Sequence, residues 1–362
     1  MNIHKVHLIV LKIYMIIKEK IFLNKSLLKQ ILTEYDMKRN NAIETAEEKK
    51  SKLLEVNPKI AEIDKELSKI SIDSSRAIIN STIEEKEKIL NNLKKKSNKL
   101  IKEKNVIIKE LFKSTDYFEP NFECKTCKDT GFVQKAGKSE ICNCLKQRIY
   151  DIAYNKSNMG NLEFENFGTF NIRYFSDKED KSKYKSDISP RENMNLLKEK
   201  ANNFIKNFDD PQEKNLIFLG GTGLGKTFLT NCIANELLKE GKTVLYQTAP
   251  VMFDDIFDEK YGKVQNPISL EKDILNCDLL IIDDLGTEKV SDNKIEELFN
   301  IINTRLLNQN HKIKKTIIST NLTAQEIANT YTMRIGSRLA GSYRFLRFFG
   351  DDIRFKKGKK EI

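Results

Sequence analysis

Between residues 25 and 113 the chain has no glycine, and Pro58 is its only proline there. The two residue types that most readily interrupt a helix are therefore nearly missing from that stretch. Lys, Glu, Asn, Ile and Leu dominate it, so it reads as long helices. No segment of the chain reaches the length of a membrane span. The six cysteines of this Lys-rich chain are not arranged as a secreted disulfide framework. His7 to Ile17 is apolar, but Lys12 interrupts it and no small-residue cleavage site follows, which argues against a signal peptide. An amphipathic helix or a translation start placed too early are the readings left for residues 1–24. A cytoplasmic protein is the expectation. No internal repeat is present.

A length of 362 residues suggests two or three domains. Apolar residues make up 39% and charged residues 32%, unevenly spread, as for a solvated helical region beside a conventional globular one. The net charge of +11 favours acidic partners such as nucleic acid, although a Lys-rich surface can also serve solubility alone. The expected organisation is an extension at 1–24 and a helical partner-binding segment at 25–118. A cysteine module at 119–150, a linker and domain start at 151–190, and an α/β domain at 191–362 follow.

Ile60, Ile63, Leu67 and Ile70 share one helix face. Leu93, Leu100 and Ile107 repeat at sevens, but the companion seam of Ile83 and Leu90 decays into Ser97 and Lys104 before Leu111. A short helical hairpin or small bundle fits this better than a long coiled coil. Residues 71–75 read as a break between helices. The competing reading is a charged spacer helix with no partner.

Cys124-Lys-Thr-Cys127 and Cys142-Asn-Cys144 supply four thiolates in two close pairs, suited to one tetrahedral zinc ion. Gly131 and Gly137 suit the turns of a ribbon between the pairs, and Lys125, Lys128, Lys138 and Lys146 offset the charge of four thiolates. Redox pairs or an iron–sulfur cluster are the alternatives. Cys232 and Cys277 read as small core residues.

From about Arg191 helix-like and strand-like segments alternate, which predicts a parallel sheet with strands at 215–220, 243–249, 279–284, 316–321 and 345–349. After the first of these comes Gly220-Gly221-Thr222-Gly223-Leu224-Gly225-Lys226-Thr227, which fits G-x-x-x-x-G-K-[ST]. Its backbone N–H groups form an anion nest, Lys226 reaches the β- and γ-phosphates, and the Thr227 hydroxyl ligates Mg²⁺. The helix predicted at 228–239 turns its N-terminal dipole toward the same anion.

Leu279 to Asp284 is an apolar strand ending in two acids. Asp283 is the candidate partner of Mg²⁺ through a metal-bound water, and Asp284 the candidate to orient or deprotonate the attacking water. Asn321 ends another strand and would sit near the γ-phosphate; capping the next helix is its alternative role. Arg334 and Arg338, four apart on one helical face, are either presented to a neighbouring subunit's γ-phosphate or an ordinary surface pair. Near the C-terminus, Arg344, Arg347, Arg354, Lys356, Lys357, Lys359 and Lys360 interleave with Tyr343, Phe345, Phe348 and Phe349. That pattern suits single-stranded nucleic acid, although some of these aromatics belong to a strand. Residues 251–264, with Phe253, Phe257 and Tyr261, are a second such surface.

These residues carry a family likeness. CKTCKDTGFV with CNCL, GGTGLGKT, DLLIIDDLGTEK, KKTIISTNL and MRIGSRLAG resemble the AAA+ ATPases and, within them, the bacterial replicative helicase loaders of the DnaC/DnaI type. The likeness runs from about residue 25 to near the end of the chain. It implies an AAA+ P-loop parallel sheet with a reduced lid, preceded by an α-helical segment and a small zinc-ribbon-like module. It implies ATP, Mg²⁺ and Zn²⁺ as cofactors, and a slow ATPase that depends on assembly through the ATPase domain. It makes Asp283 and Asp284 Walker B, Asn321 sensor 1 and Arg338 the arginine finger, with Arg334 as a companion. The implied partners are the hexameric replicative helicase, held by the cysteine region, and single-stranded DNA. A membrane partner is not implied. Most AAA+ proteins have Glu where Asp284 stands, and the chain ends soon after its last strand, without room for a full lid and its sensor 2 arginine. An IstB-type transposition helper shares the same core, but the zinc cluster and helical segment are not expected of it. An adaptor that uses nucleotide only to hold its shape is the third reading. A replication initiator is disfavoured because no helix-turn-helix follows the ATPase.

Overall fold

The computed structural model describes residues 25–80, 83–112, 118–135, 137–153, 164–262, 269–307 and 313–354. Two compact units emerge, one of residues 30–131 and one from residue 132 onward. The extension at 1–24 and the lysines at 356–360 lie outside the described residues.

Three helices make the first unit: α1 (Lys25–Val56), α2 (Pro58–Asn80) and α3 (Ile83–Phe112). Pro58 occupies the first position of α2, where a missing N–H is no loss. The predicted face is the buried one: Ile60, Ile63 and Ile70 are each less than a tenth exposed. Leu53 and Ile108 close over Ile60. Lys104, which spoils the heptad seam of α3, reaches Asp64 at 2.5 Å. The seam is thus completed by an ion pair rather than by leucine. The expected break at 71–75 is absent, and those residues continue α2. Ser74 Oγ donates to the Ile70 carbonyl at 2.7 Å and Ser75 Oγ to the Ser71 carbonyl at 3.0 Å. Serine hydroxyls can take that option inside a helix as readily as they cap one.

The second unit opens with an antiparallel hairpin, β1 (Phe132–Lys135) and β2 (Lys138–Ile141), followed by α4 (Asn143–Ala153). Within 176–190, part of the expected linker and domain start at 151–190, a short helix forms, α5 (Lys181–Tyr184), capped by Asp180. Tyr184 is buried and its carbonyl accepts from Arg347 Nη2 at 2.7 Å, so the segment is tied to the far end of the chain. Next comes α6 (Pro190–Lys206), started by a capping box between Ser189 and Glu192.

The sheet follows as β3 (Asn215–Leu219), α7 (Lys226–Lys239), β4 (Val244–Thr248), α8 (Ala249–Lys260), α9 (Leu270–Asn276) and β5 (Leu279–Leu285). It is completed by α10 (Asp292–Leu307), β6 (Lys315–Thr320), α11 (Ala324–Ser342) and β7 (Tyr343–Arg347). The five strands are parallel in the order β4-β5-β6-β3-β7. The last begins two residues before the predicted one, because α11 passes directly into extended backbone at Tyr343.

Alternate side chains of each strand feed two core layers. Ile217, Leu245, Leu280, Ile282 and Ile318 pack under α8 to α11. Leu216, Phe218, Val244, Ile281 and Ile317 pack under α6 and α7. The aromatics of 164–175 join the second layer: Phe175 is buried in it, and Phe167, Phe170 and Tyr174 pack against it. No helical lid follows β7 among the described residues. Nor is any helix there long and apolar enough to cross a membrane.

Candidate functional site

In this strand order β6 lies between β3 and β5. The glycine loop after β3, the acids of β5 and Asn321 after β6 therefore meet at the carboxyl ends of three adjacent strands, where open α/β sheets bind ligands. A cavity of about 410 Å³ opens there, lined among others by Gly223, Lys226, Thr227, Asp284 and Asn321.

Two glycines of the loop sit where a side chain would be strained. Gly220 has φ +152°, and a Cβ on it would lie 2.4 Å from the Phe348 carbonyl oxygen. Gly223 has φ +69°, and its Cβ would lie 1.9 Å from the Asp352 carboxylate. Lys226 opens α7 and is 6% exposed. Its Nζ donates to the carbonyls of Gly220 (2.6 Å) and Gly221 (2.8 Å) and to Asn321 Oδ1 (2.8 Å). Burial lowers its pKa, opposed by the charges of Asp284 and Asp283.

Asp283 is buried and held at both oxygens. Tyr246 donates to Oδ2 at 2.5 Å and Thr227 Oγ1 to the same atom at 3.3 Å, while Ser319 Oγ and the Asp284 N–H donate to Oδ1. Thr227 and Asp283 thus form an oxygen pair of the hard kind that Mg²⁺ takes. A register shift between Ile282 and Leu285 interrupts the pairing with β6 at the two acids, while Asp283 stays paired with Thr248 of β4, and Asp284 adopts φ +54°. That turn puts the Asp284 side chain in the cavity wall. Its pKa is raised, first by burial and then by Asp283 beside it.

Asn321 does not cap the following helix. Thr323 does, in a capping box with Glu326, which leaves the Asn321 amide for Lys226. Arg334 and Arg338 lie on α11 beyond a kink at Tyr331 and Thr332. Both arginines are exposed, and the Arg334 guanidinium sits 4.4 Å from the centre of the Phe299 ring.

Three contributors escaped the sequence reading. Tyr246 and Ser319 are single polar residues within apolar strands, and only the strand order shows that both face Asp283. Arg354, read above as part of a nucleic-acid-binding tail, lines the cavity beside the glycine loop instead. Ile353 N–H donates to the Gly223 carbonyl at 2.9 Å, folding this segment onto the loop.

The rest of that tail also differs from expectation. Tyr343 and Phe348 are buried core, and Phe345 packs on the core. Arg344 pairs with Glu213 at 3.1 Å, and Arg347 is spent on the backbone of Tyr184 and the Phe349 ring. The aromatics satisfy the sheet, so none of these three is a stacking platform. On α8, Phe253 is buried, and Phe257 stacks on Tyr261 with centroids 6.1 Å apart. Asp254 and Asp258 line a cavity beside that pair, an acidic setting poorly suited to phosphates.

The four predicted zinc ligands come together: the sulfurs of Cys124, Cys127, Cys142 and Cys144 all lie within 4.8 Å of one another. Four thiolates at about 2.3 Å from a tetrahedral Zn²⁺ need a similar spread. Asp129 accepts from the N–H groups of Glu123 (2.9 Å) and Cys124 (2.7 Å), and Gly131 N–H donates to Cys127 Sγ at 3.3 Å. Cys232 and Cys277 are fully buried, and burial pushes the Cys232 thiol up to about 12, so both are inert core residues.

Residues 186–336 match the family model of the IstB-like ATP binding proteins. The replicative helicase loader DnaC of Escherichia coli (strain K12) is 30% identical over 169 residues, which is 46% of this chain and 66% of that protein. The match thus spans just under two thirds of the loader's length. The chromosomal replication initiator DnaA of Campylobacter fetus subsp. fetus is 31% identical over 123 residues, 34% of this chain and 27% of that one. Among solved structures, a DnaC helicase loader is 26% identical with a TM-score of 0.38, covering 49% of this chain and 99% of its own. The chain is thus similar to the IstB-like ATP binding proteins over residues 186–336 and to the replicative helicase loader DnaC over 169 residues.

Proposed function

We propose that the chain is an ATP-dependent loader of the replicative DNA helicase, with residues 191–362 as the ATPase and residues 25–118 and 119–150 as the partner-holding part. The observation that carries this reading is the pairing of a complete phosphate site with a four-cysteine cluster in one chain. A small-molecule kinase would need no such module.

In this reading the loop N–H groups and Lys226 hold the β- and γ-phosphates, and Thr227 and Asp283 hold Mg²⁺. The metal would neutralise charge on the phosphates. Asp284, turned into the cavity, orients or deprotonates the water, and Asn321 sits by the γ-phosphate. Arg338 of one chain serves the site of the next, so hydrolysis depends on assembly. The slow turnover switches the grip on helicase and on single-stranded DNA.

The test uses the full chain and the purified hexameric helicase. ATP is expected to be needed for co-elution, and single-stranded DNA to change turnover. Lys226→Ala is expected to abolish turnover while its zinc content stays normal. Normal turnover in that variant would sink the phosphate-loop assignment, and wild-type protein that ignores the helicase would sink the loader reading. The match to IstB-like proteins favours a second reading, a transposition helper. It requires binding of a transposase and duplex DNA in the same assay.

A further inference from the structure

Two carboxylates line the phosphate cavity, Asp284 and Glu165. Asp284 has a place in the phosphate chemistry. Glu165 has none, because a carboxylate beside a triphosphate is repelled unless it meets a hydrogen-bond donor.

Its location narrows the choice. Glu165 belongs to the aromatic segment 164–175, which crosses the start of α7. Phe170 of that segment meets Phe228 edge-on at 5.6 Å, and Phe228 directly follows Thr227. The loop, Lys226 and Thr227 define the phosphate end, with Asp284 and Asn321 at the γ-phosphate. Phe228 and Glu165 are left to face the nucleoside.

Glu165 is also held in place. Asn231 Nδ2 donates to Glu165 Oε2 at 2.6 Å. Asn231 is 1% exposed, and its own Oδ1 is buried with no hydrogen-bond partner among the described residues. Proteins rarely leave a buried amide oxygen so. The orientation that orphans this oxygen is the one that gives Glu165 its donor. The second carboxylate oxygen of Glu165, Oε1, has no hydrogen bond among the described residues.

We propose that Glu165 is the residue that reads the nucleoside, its free carboxylate oxygen accepting a hydrogen bond from the exocyclic amine of adenine. Guanine presents an oxygen at the matching position, which the carboxylate repels. This rests on the phosphate-loop reading of the cavity. The ribose hydroxyls are the other donors that a nucleotide offers, and the test separates them.

Equilibrium binding to the full chain is measured for ATP, GTP, purine riboside triphosphate (which lacks the amine), and 2′- and 3′-deoxy-ATP. Wild-type protein is expected to prefer ATP over GTP and over the amine-free analogue by about tenfold, as for a hydrogen bond to a charged group. Glu165→Ala removes that preference and lowers the melting temperature only by the cost of leaving the buried Asn231 amide without its acceptor. Glu165→Gln, which keeps the oxygen and loses the charge, falls between. A wild-type preference against the deoxy nucleotides alone, lost in Glu165→Ala, keeps the nucleoside-reading role but overturns the amine as the donor. Unchanged selectivity in Glu165→Ala, or equal loss for ATP and GTP, overturns the assignment of Glu165 and leaves the phosphate loop intact. Wild-type protein that binds none of these nucleotides overturns both.

Discussion

The side-chain amide of Gln147 makes with Val244 the two hydrogen bonds that a neighbouring strand would make. Its Oε1 accepts from the Val244 N–H at 2.7 Å, and its Nε2 donates to the Val244 carbonyl at 3.0 Å. Val244 lies on β4, an edge strand of the sheet, and edges left open invite pairing with other chains. One glutamine of α4 therefore closes part of that edge, while Tyr150 of the same helix fills the core beneath it.

Gln147→Ala removes both bonds from a buried edge position. The expected loss is about 1–3 kcal/mol of stability, read by urea unfolding. A loss within error would mean that water replaces the amide at this edge.

Thr332 offers a change in the opposite direction. It adopts φ 77° and ψ 151°, a region that essentially only glycine visits, and it marks the kink of α11. The kink is pinned from the preceding residue: Tyr331 is buried and donates to Glu288, whose other oxygen accepts from Gly286 N–H at 2.9 Å. Thr332→Gly is expected to raise stability by about 1 kcal/mol. A fall in the unfolding midpoint would show that Thr332 does not hold this conformation.

The phosphate loop, the strand acids and the cysteine pairs were legible because each chemistry demands its residue types at short spacing. Tyr246 and Ser319 were not, since they reach Asp283 only through the order of the strands. Arg354 was misread for a related reason. Its charge sits in a basic run, and only the return of Ile353 to Gly223 brings it to the cavity. The serines at 71–75 misled because a hydroxyl that stops one helix can bond back into another. The aromatics from Phe164 to Phe175 lie in a segment expected to be a linker and domain start, yet most of them complete a core layer whose other residues are far away in sequence.

The cysteine cluster makes a prediction about metal. Purified protein is expected to carry one zinc ion per chain, and Cys124→Ser with Cys127→Ser to abolish it. Thiolates bind only when deprotonated, so zinc is released as pH falls, which a chromogenic chelator follows. Iron absorbance in the purified protein would refute a zinc site.

The two arginines of α11 are both exposed but meet different surroundings. Arg334 is packed on the Phe299 ring of α10, so its guanidinium already contributes within its own chain. Arg338, one turn further, is exposed and available to a neighbour. Arg334→Ala is expected to cost about 0.5–1 kcal/mol of stability while hydrolysis stays within a few-fold. Arg338→Ala is expected to leave the melting temperature and ATP affinity unchanged, and to slow hydrolysis by assembled protein roughly 10³-fold. The decisive comparison is turnover per site in a multimer verified by light scattering. Undiminished hydrolysis in assembled Arg338→Ala, with a collapse in Arg334→Ala, would move the role to Arg334 and require its side chain to leave Phe299 on assembly.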